Sequence, residues 1–134
     1  MTQEQKDLLL KDLCARLPYK ICAQIPDKYG GYTSDIESID IDGFVKDFEG
    51  TLIEIENIKP YLFPLSSITI EQEKELSKLG VSYGEYALHD DIRGLGIMVD
   101  EAYIFFEFCY KHHIDFLGLI EMGLAIDATN LNIY

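Results

Sequence analysis

The chain has 134 residues, 48% of them apolar, with 24 acids against 11 bases and a net charge of −13. That length and apolar content predict one folded domain and argue against disorder. So acidic a surface excludes direct binding to nucleic acid, because a phosphate backbone needs lysines and arginines to displace its counterions, and without a run of about 18 apolar residues no membrane span is expected.

The first segment, MTQEQKDLLLKDLCARL, predicts a helix. Thr2 can cap it and Gln5, three residues on, can complete a capping box. Leu9, Leu10, Leu13, Cys14 and Leu17 form one apolar stripe, with Asp12 and Arg16 on the other side, so Cys14 is expected to be buried. Pro18 stops the helix. The segment has no basic start, no uninterrupted apolar stretch and no small-residue cleavage site, which argues against a secretory signal. Cys14, Cys22 and Cys109 have neither zinc nor redox spacing, so free thiols in a reducing cytoplasm are expected.

In YKICAQIP the apolar residues Ile21, Ala23 and Ile25 alternate with polar ones, which predicts a half-buried strand. A Gly-Gly turn follows. IESIDI is β-like, with Ile36 out of phase with Ile39 and Ile41, a sign of a bulge or of a late strand start. FVKDFEGTLIEIEN holds a third strand. Three sequential strands with short links predict an antiparallel meander. IKPYLFPLSS, with two prolines, reads as an extended connector. Thr69 or Ser67 opens a second helix over EQEKELSKL, closed by Gly80. Residues 81–97 have no steady period and read as loop. Asp100 starts a third helix that runs to about His113.

Residues 38–49, SIDIDGFVKDFE, match part of a calcium-loop template: Asp40, Asp42, Gly43, Val45 and Glu49 fall at its positions 3, 5, 6, 8 and 12. Carboxylates at alternate positions can converge on one ion, and the glycine permits the turn. Ser38 replaces the first carboxylate, Ile39 and Ile41 are apolar, and neither flank reads as helix. As β structure, the same stretch has Asp40 and Asp42 outward, Ile39 and Ile41 inward, and a turn at Asp-Gly. Asp40, Asp42 and Glu49 are thus weak metal candidates, and no cofactor is expected.

CYKHHIDF gathers Cys109, His112, His113 and Asp115. Cys109 and His113 share a helical face and offer two ligands where zinc needs three or four. With phenylalanines around Cys109, the thiol reads as core and the histidines as cations at a helix C-terminus. A hydrolase using His113, His112 or His89 with a carboxylate is the enzymatic alternative. RGLGI lacks the rest of a dinucleotide fingerprint.

Residues 35–56 hold eight acids and one base. That field would attract a basic partner or imitate nucleic acid. Tyr61 and Phe63 alternate in the Pro-bounded segment and, if exposed, would offer a partner an apolar patch alongside Asp40 and Asp42. DLCARLPY, IKPYLFPLSS and DFLGLIEMGLAIDA together resemble a group of uncharacterised proteins from gut bacteria and their phages or mobile elements. That resemblance implies an accessory protein and assigns no activity, cofactor or residue role.

The expectation is therefore an α+β domain: an N-terminal helix and two later helices on a three-stranded, mainly antiparallel sheet. Its expected function is a non-catalytic, cytoplasmic interaction or regulatory module with a protein partner, and a homo-oligomer of the chain is a further expectation.

Overall fold

Helix α1 spans Gln3–Arg16 and begins as its sequence dictates: the Thr2 hydroxyl accepts the Gln5 amide, and the Gln5 side chain accepts the Thr2 amide. This reciprocal cap satisfies two of the donors that a helix start leaves open. The computed structural model describes residues 1–80 and 99–134. The segment read as loop over 81–97, with His89, Asp90, Asp91 and RGLGI, lies outside the described residues.

The buried face of α1 is Leu9, Asp12, Leu13 and Arg16, spaced i, i+3, i+4, i+7. Cys14 is exposed, which corrects the expected stripe. The physical reason is that Asp12 and Arg16 neutralise each other, with Arg16 Nε donating to Asp12 Oδ2 at 2.7 Å. A paired charge is far less costly to bury than a lone one. With that pair inside, the helix is turned and Cys14 meets solvent.

Among the described residues there are seven strands: β1 Cys22–Ile25, β2 Tyr32–Ile39, β3 Phe44–Asp47, β4 Leu52–Glu54, β5 Lys59–Pro64, β6 Ile114–Asp115 and β7 Ile126–Asp127. The protein is α+β as expected, with helices α2 (Ile70–Lys78) and α3 (Val99–Lys111) following α1, but the three-stranded sheet was an undercount. The expected third strand is two, folded back at residues 47–51. The expected connector is the strand β5. Pro60 and Pro64 fall near its ends, where a missing N–H disturbs a ladder least.

The described chain forms two compact units, Met1–Leu62 with Leu119–Tyr134, and Phe63–Gly118. In the first, β4, β3, β2, β1 and β5 lie in that order, all antiparallel neighbours, and β7 pairs with β5 in parallel. The β2–β3 register shifts between Ile36 and Ser38, which is the irregularity that the phase of the isoleucines predicts. The core packs Leu9 and Leu13 of α1 against Ile21, Ala23, Ile25, Ile36, Val45, Ile53 and Leu62. Burying one such aliphatic side chain contributes roughly 2 kcal/mol.

β1 and β5 pair at Ala23↔Pro60 and Gln24↔Lys59, so the next facing pair is Cys22 and Tyr61. There the ladder runs through a side chain. The Cys22 amide donates to the Tyr134 hydroxyl at 3.1 Å, which donates to the Tyr61 carbonyl at 2.7 Å.

In the second unit, the far end of β5 pairs in parallel with β6 at Phe63↔Ile114 and Pro64↔Asp115. Helix α2 starts with another capping box, Thr69 with Gln72. Leu76, Phe105, Phe108, Cys109, Ile114 and Phe116 form its core.

Candidate functional site

Two hairpin turns flank β3, and they are built alike. Residues 40–43 read Asp-Ile-Asp-Gly and residues 47–50 read Asp-Phe-Glu-Gly. In the first, Asp40 Oδ1 accepts the amides of Asp42 at 2.9 Å and Phe44 at 3.1 Å. In the second, Asp47 Oδ1 accepts those of Glu49 at 3.0 Å and Thr51 at 2.8 Å. Each glycine amide then donates to the carbonyl of its aspartate, at 3.1 Å in both turns. Gly43 and Gly50 have φ of +86° and +90°, a region that disfavours any residue with a Cβ. The signal for this repeat was legible in the sequence as Asp-apolar-acid-Gly recurring after seven residues, and the calcium template obscured it.

The two aspartates differ in burial. Asp40 is exposed, while Asp47 is fully buried and its Oδ2 accepts the Tyr32 hydroxyl. Burial pushes the Asp47 carboxyl up, but the Tyr32 hydroxyl and the amides of Thr51, Glu49 and Gly50 outweigh it and hold it below the ordinary value.

This construction leaves apolar side chains in water. The second residue of each turn is large and exposed, Ile41 at 93% and Phe48 at 75%, and the outer face of the hairpin adds Leu52 at 60% and Phe44 at 39%. Ile41 was expected inward on a strand; it stands instead at a turn tip, because β2 ends at Ile39. Asp42 and Glu49 follow the two tip residues in their turns, Glu54 shares the outer face with Leu52, and Lys46 lies opposite Leu52 on that face. Beside this face, a cleft of about 290 Å³ opens between α1 and the first turn, lined in part by Lys6, Leu10, Ile41, Asp42, Glu54 and Glu56. Lys6 pairs with Glu56 in this cleft. That bond raises the Lys6 ammonium above its usual value and holds the Glu56 carboxyl below its own.

The other candidates fall elsewhere. Asp40 and Asp42 share the first turn and Glu49 lies in the second, and among the described residues no three His, Cys, Asp or Glu side chains converge in a way that could hold a metal. The Asp40 carboxylate caps its own turn. Tyr61 is 7% exposed and Phe63 is half-buried, because both lie on the inner strand β5, so Tyr61 offers no patch. The Tyr61 hydroxyl bonds that of Thr33 at 3.2 Å.

In the second unit Cys109 is fully buried with Phe105, Phe108 and Phe116, as a core thiol should be. His113 follows α3 with φ of +60°, a helix-ending conformation, and its carbonyl accepts the Phe63 amide at 2.8 Å. His112 does meet a carboxylate: its Nε2 lies 2.8 Å from Glu75 Oε2, and Lys111 Nζ donates to Glu75 Oε1 at 3.1 Å. The imidazole also packs on the Phe108 ring, with centroids 4.5 Å apart. Burial pushes the Glu75 carboxyl up, but Lys111 and His112 prevail and lower it. Both Glu75 oxygens are committed, one to Lys111 at the end of α3 and one to His112 just after it, so the arrangement works as a clamp between α2 and the C-terminal end of α3.

No protein-family model, curated protein or solved structure matches the chain. Among the described residues no helix is long and apolar enough to cross a membrane.

Proposed function

We propose that the protein is a non-catalytic interaction module whose contact surface is the outer face and tips of the β2–β3–β4 hairpins. The observation that carries this reading is the exposure of Ile41, Phe44, Phe48 and Leu52 within twelve consecutive residues. Single exposed apolar side chains are ordinary, but four on one hairpin pair in a strongly acidic stretch are what a docking surface requires. The turns hold these side chains in place in advance, so little conformational freedom is lost on binding.

The test is affinity capture with the tagged full chain, wild type against an Ile41→Ser/Phe48→Ser double variant. Both sites are exposed, so the variant should melt within a few degrees of the wild type. A partner held by the wild type and lost by the variant supports the reading. Retention of every captured partner by the variant overturns it.

A further inference from the structure

We propose that β4 is a docking edge, to which an extended, basic segment of a partner protein adds as a further strand. This rests on the reading of the hairpin face given above and supplies its mode and its chemistry. Among the described residues β4 pairs with β3 alone, so no described strand occupies its other side.

The hydrogen-bond phase fixes which backbone groups face that side. The Asp47 amide donates to the Thr51 carbonyl at 3.1 Å, and the Ile55 amide to the Gly43 carbonyl at 2.9 Å. Bonded pairs alternate in an antiparallel ladder, so Val45 and Ile53 form the bonded pair between those two. The amides and carbonyls of Leu52 and Glu54 therefore point away from β3. The same two residues carry exposed side chains on one sheet face. An added strand would bond to both backbones and lay two of its side chains, two residues apart, against Leu52 and Glu54. An apolar residue suits the first and a cation the second.

Charge decides the class of partner. The stretch 35–56 has eight acids against one base. A second copy of this chain would set that charge against itself, whereas a basic segment is attracted to it. Lys6, drawn to Glu56 beside Glu54, shows the same preference within the chain itself.

The experiment uses the ¹⁵N-labelled full chain and two probe peptides, an octapeptide that repeats Val-Thr-Lys-Thr, so that Val and Lys alternate along one strand face, and its acidic counterpart that repeats Val-Thr-Glu-Thr. The expected result is that the basic peptide shifts the Leu52 and Glu54 amides, binds at least tenfold better than the acidic one, and weakens as salt rises from about 0.05 to about 0.5 M. Glu54→Pro removes one outward N–H at a residue whose φ of −65° suits proline, so the fold is retained and binding falls about tenfold. Glu54→Gln keeps the N–H, so it preserves the pattern of shifts while reducing the salt dependence. Shifts confined to other residues, equal binding by Glu54→Pro, equal binding of both peptides, or dimers of the chain that protect the Leu52 amide would each overturn the proposal. A captured partner that is lost with Ile41→Ser/Phe48→Ser but insensitive to Glu54→Pro overturns the added strand alone and leaves the interaction module standing.

Discussion

Asp12 and Arg16 form an ion pair on the inner face of α1 with both side chains fully removed from solvent. Desolvating two charges costs much of what their attraction returns, so the pair is a poor source of stability but a hazard if broken. We predict that Asp12→Ala destabilises the protein by about 3–5 kcal/mol, because Arg16 is left charged in the core. Replacing both, as Asp12→Leu/Arg16→Met, should restore most of that loss. Urea unfolding of the three proteins checks this; a double variant as weak as the single one would contradict it.

Tyr134 makes the second prediction. Burial and the Cys22 thiol nearby push its hydroxyl above the ordinary range, while the Cys22 amide and the Arg16 charge draw it down, so it stays neutral and able to donate. Tyr134→Phe keeps the ring and strands the Cys22 amide and the Tyr61 carbonyl. Losing a part-buried bridge of this kind costs about 1 kcal/mol. Hydrogen exchange at the Cys22 amide should accelerate more than at the neighbouring β1 amides.

The twin turns allow an internal comparison. Asp40→Ala and Asp47→Ala delete the same two amide bonds, but only Asp47 is buried and bound to Tyr32. Asp40→Ala should cost about 1 kcal/mol and Asp47→Ala at least about 2 kcal/mol more. Equal losses in thermal unfolding would mean that the Tyr32 bond contributes little.

Acid should weaken the protein through Asp47 and Glu75, whose carboxyls are both held below their ordinary values of 3.8 and 4.5. A carboxyl with a depressed folded pKa contributes stability that is fully present above its unfolded value and disappears as pH falls through its folded one. Stability should therefore hold from neutral pH down to about 5 and decline below about 4.5. In Asp47→Asn this decline should be shallower, as read from urea midpoints at a series of pH values.

Local signals in the sequence were accurate where local physics governs. The capping box at Thr2, the helix start at Thr69, the irregularity after Ile36 and the inward Cys109 all depend on near neighbours in the chain. The burial of Arg16 was not legible, because periodicity counts it as polar while its partner one turn away makes burial tolerable. β5 was missed since prolines normally mark breaks, and β6 and β7 are too short to show any alternation. The exposed face of the hairpins was hidden by reading Ile41 as a strand residue. Asp-apolar-acid-Gly, seen twice, would have placed it at a turn.

The seam closed by Tyr134 bears on the order of assembly. Its bonds join residues 112 and 73 positions apart, whereas the β1–β4 meander forms from neighbouring segments. Closing loops of that length carries an entropic penalty that adjacent hairpins avoid. The meander should thus precede the seam, and a folding chain passes through a stage in which β1 and β5 hold their register by only two residue pairs. Slippage of that pairing, more than failure of the hairpins, is the misfolding event to which this topology is most open.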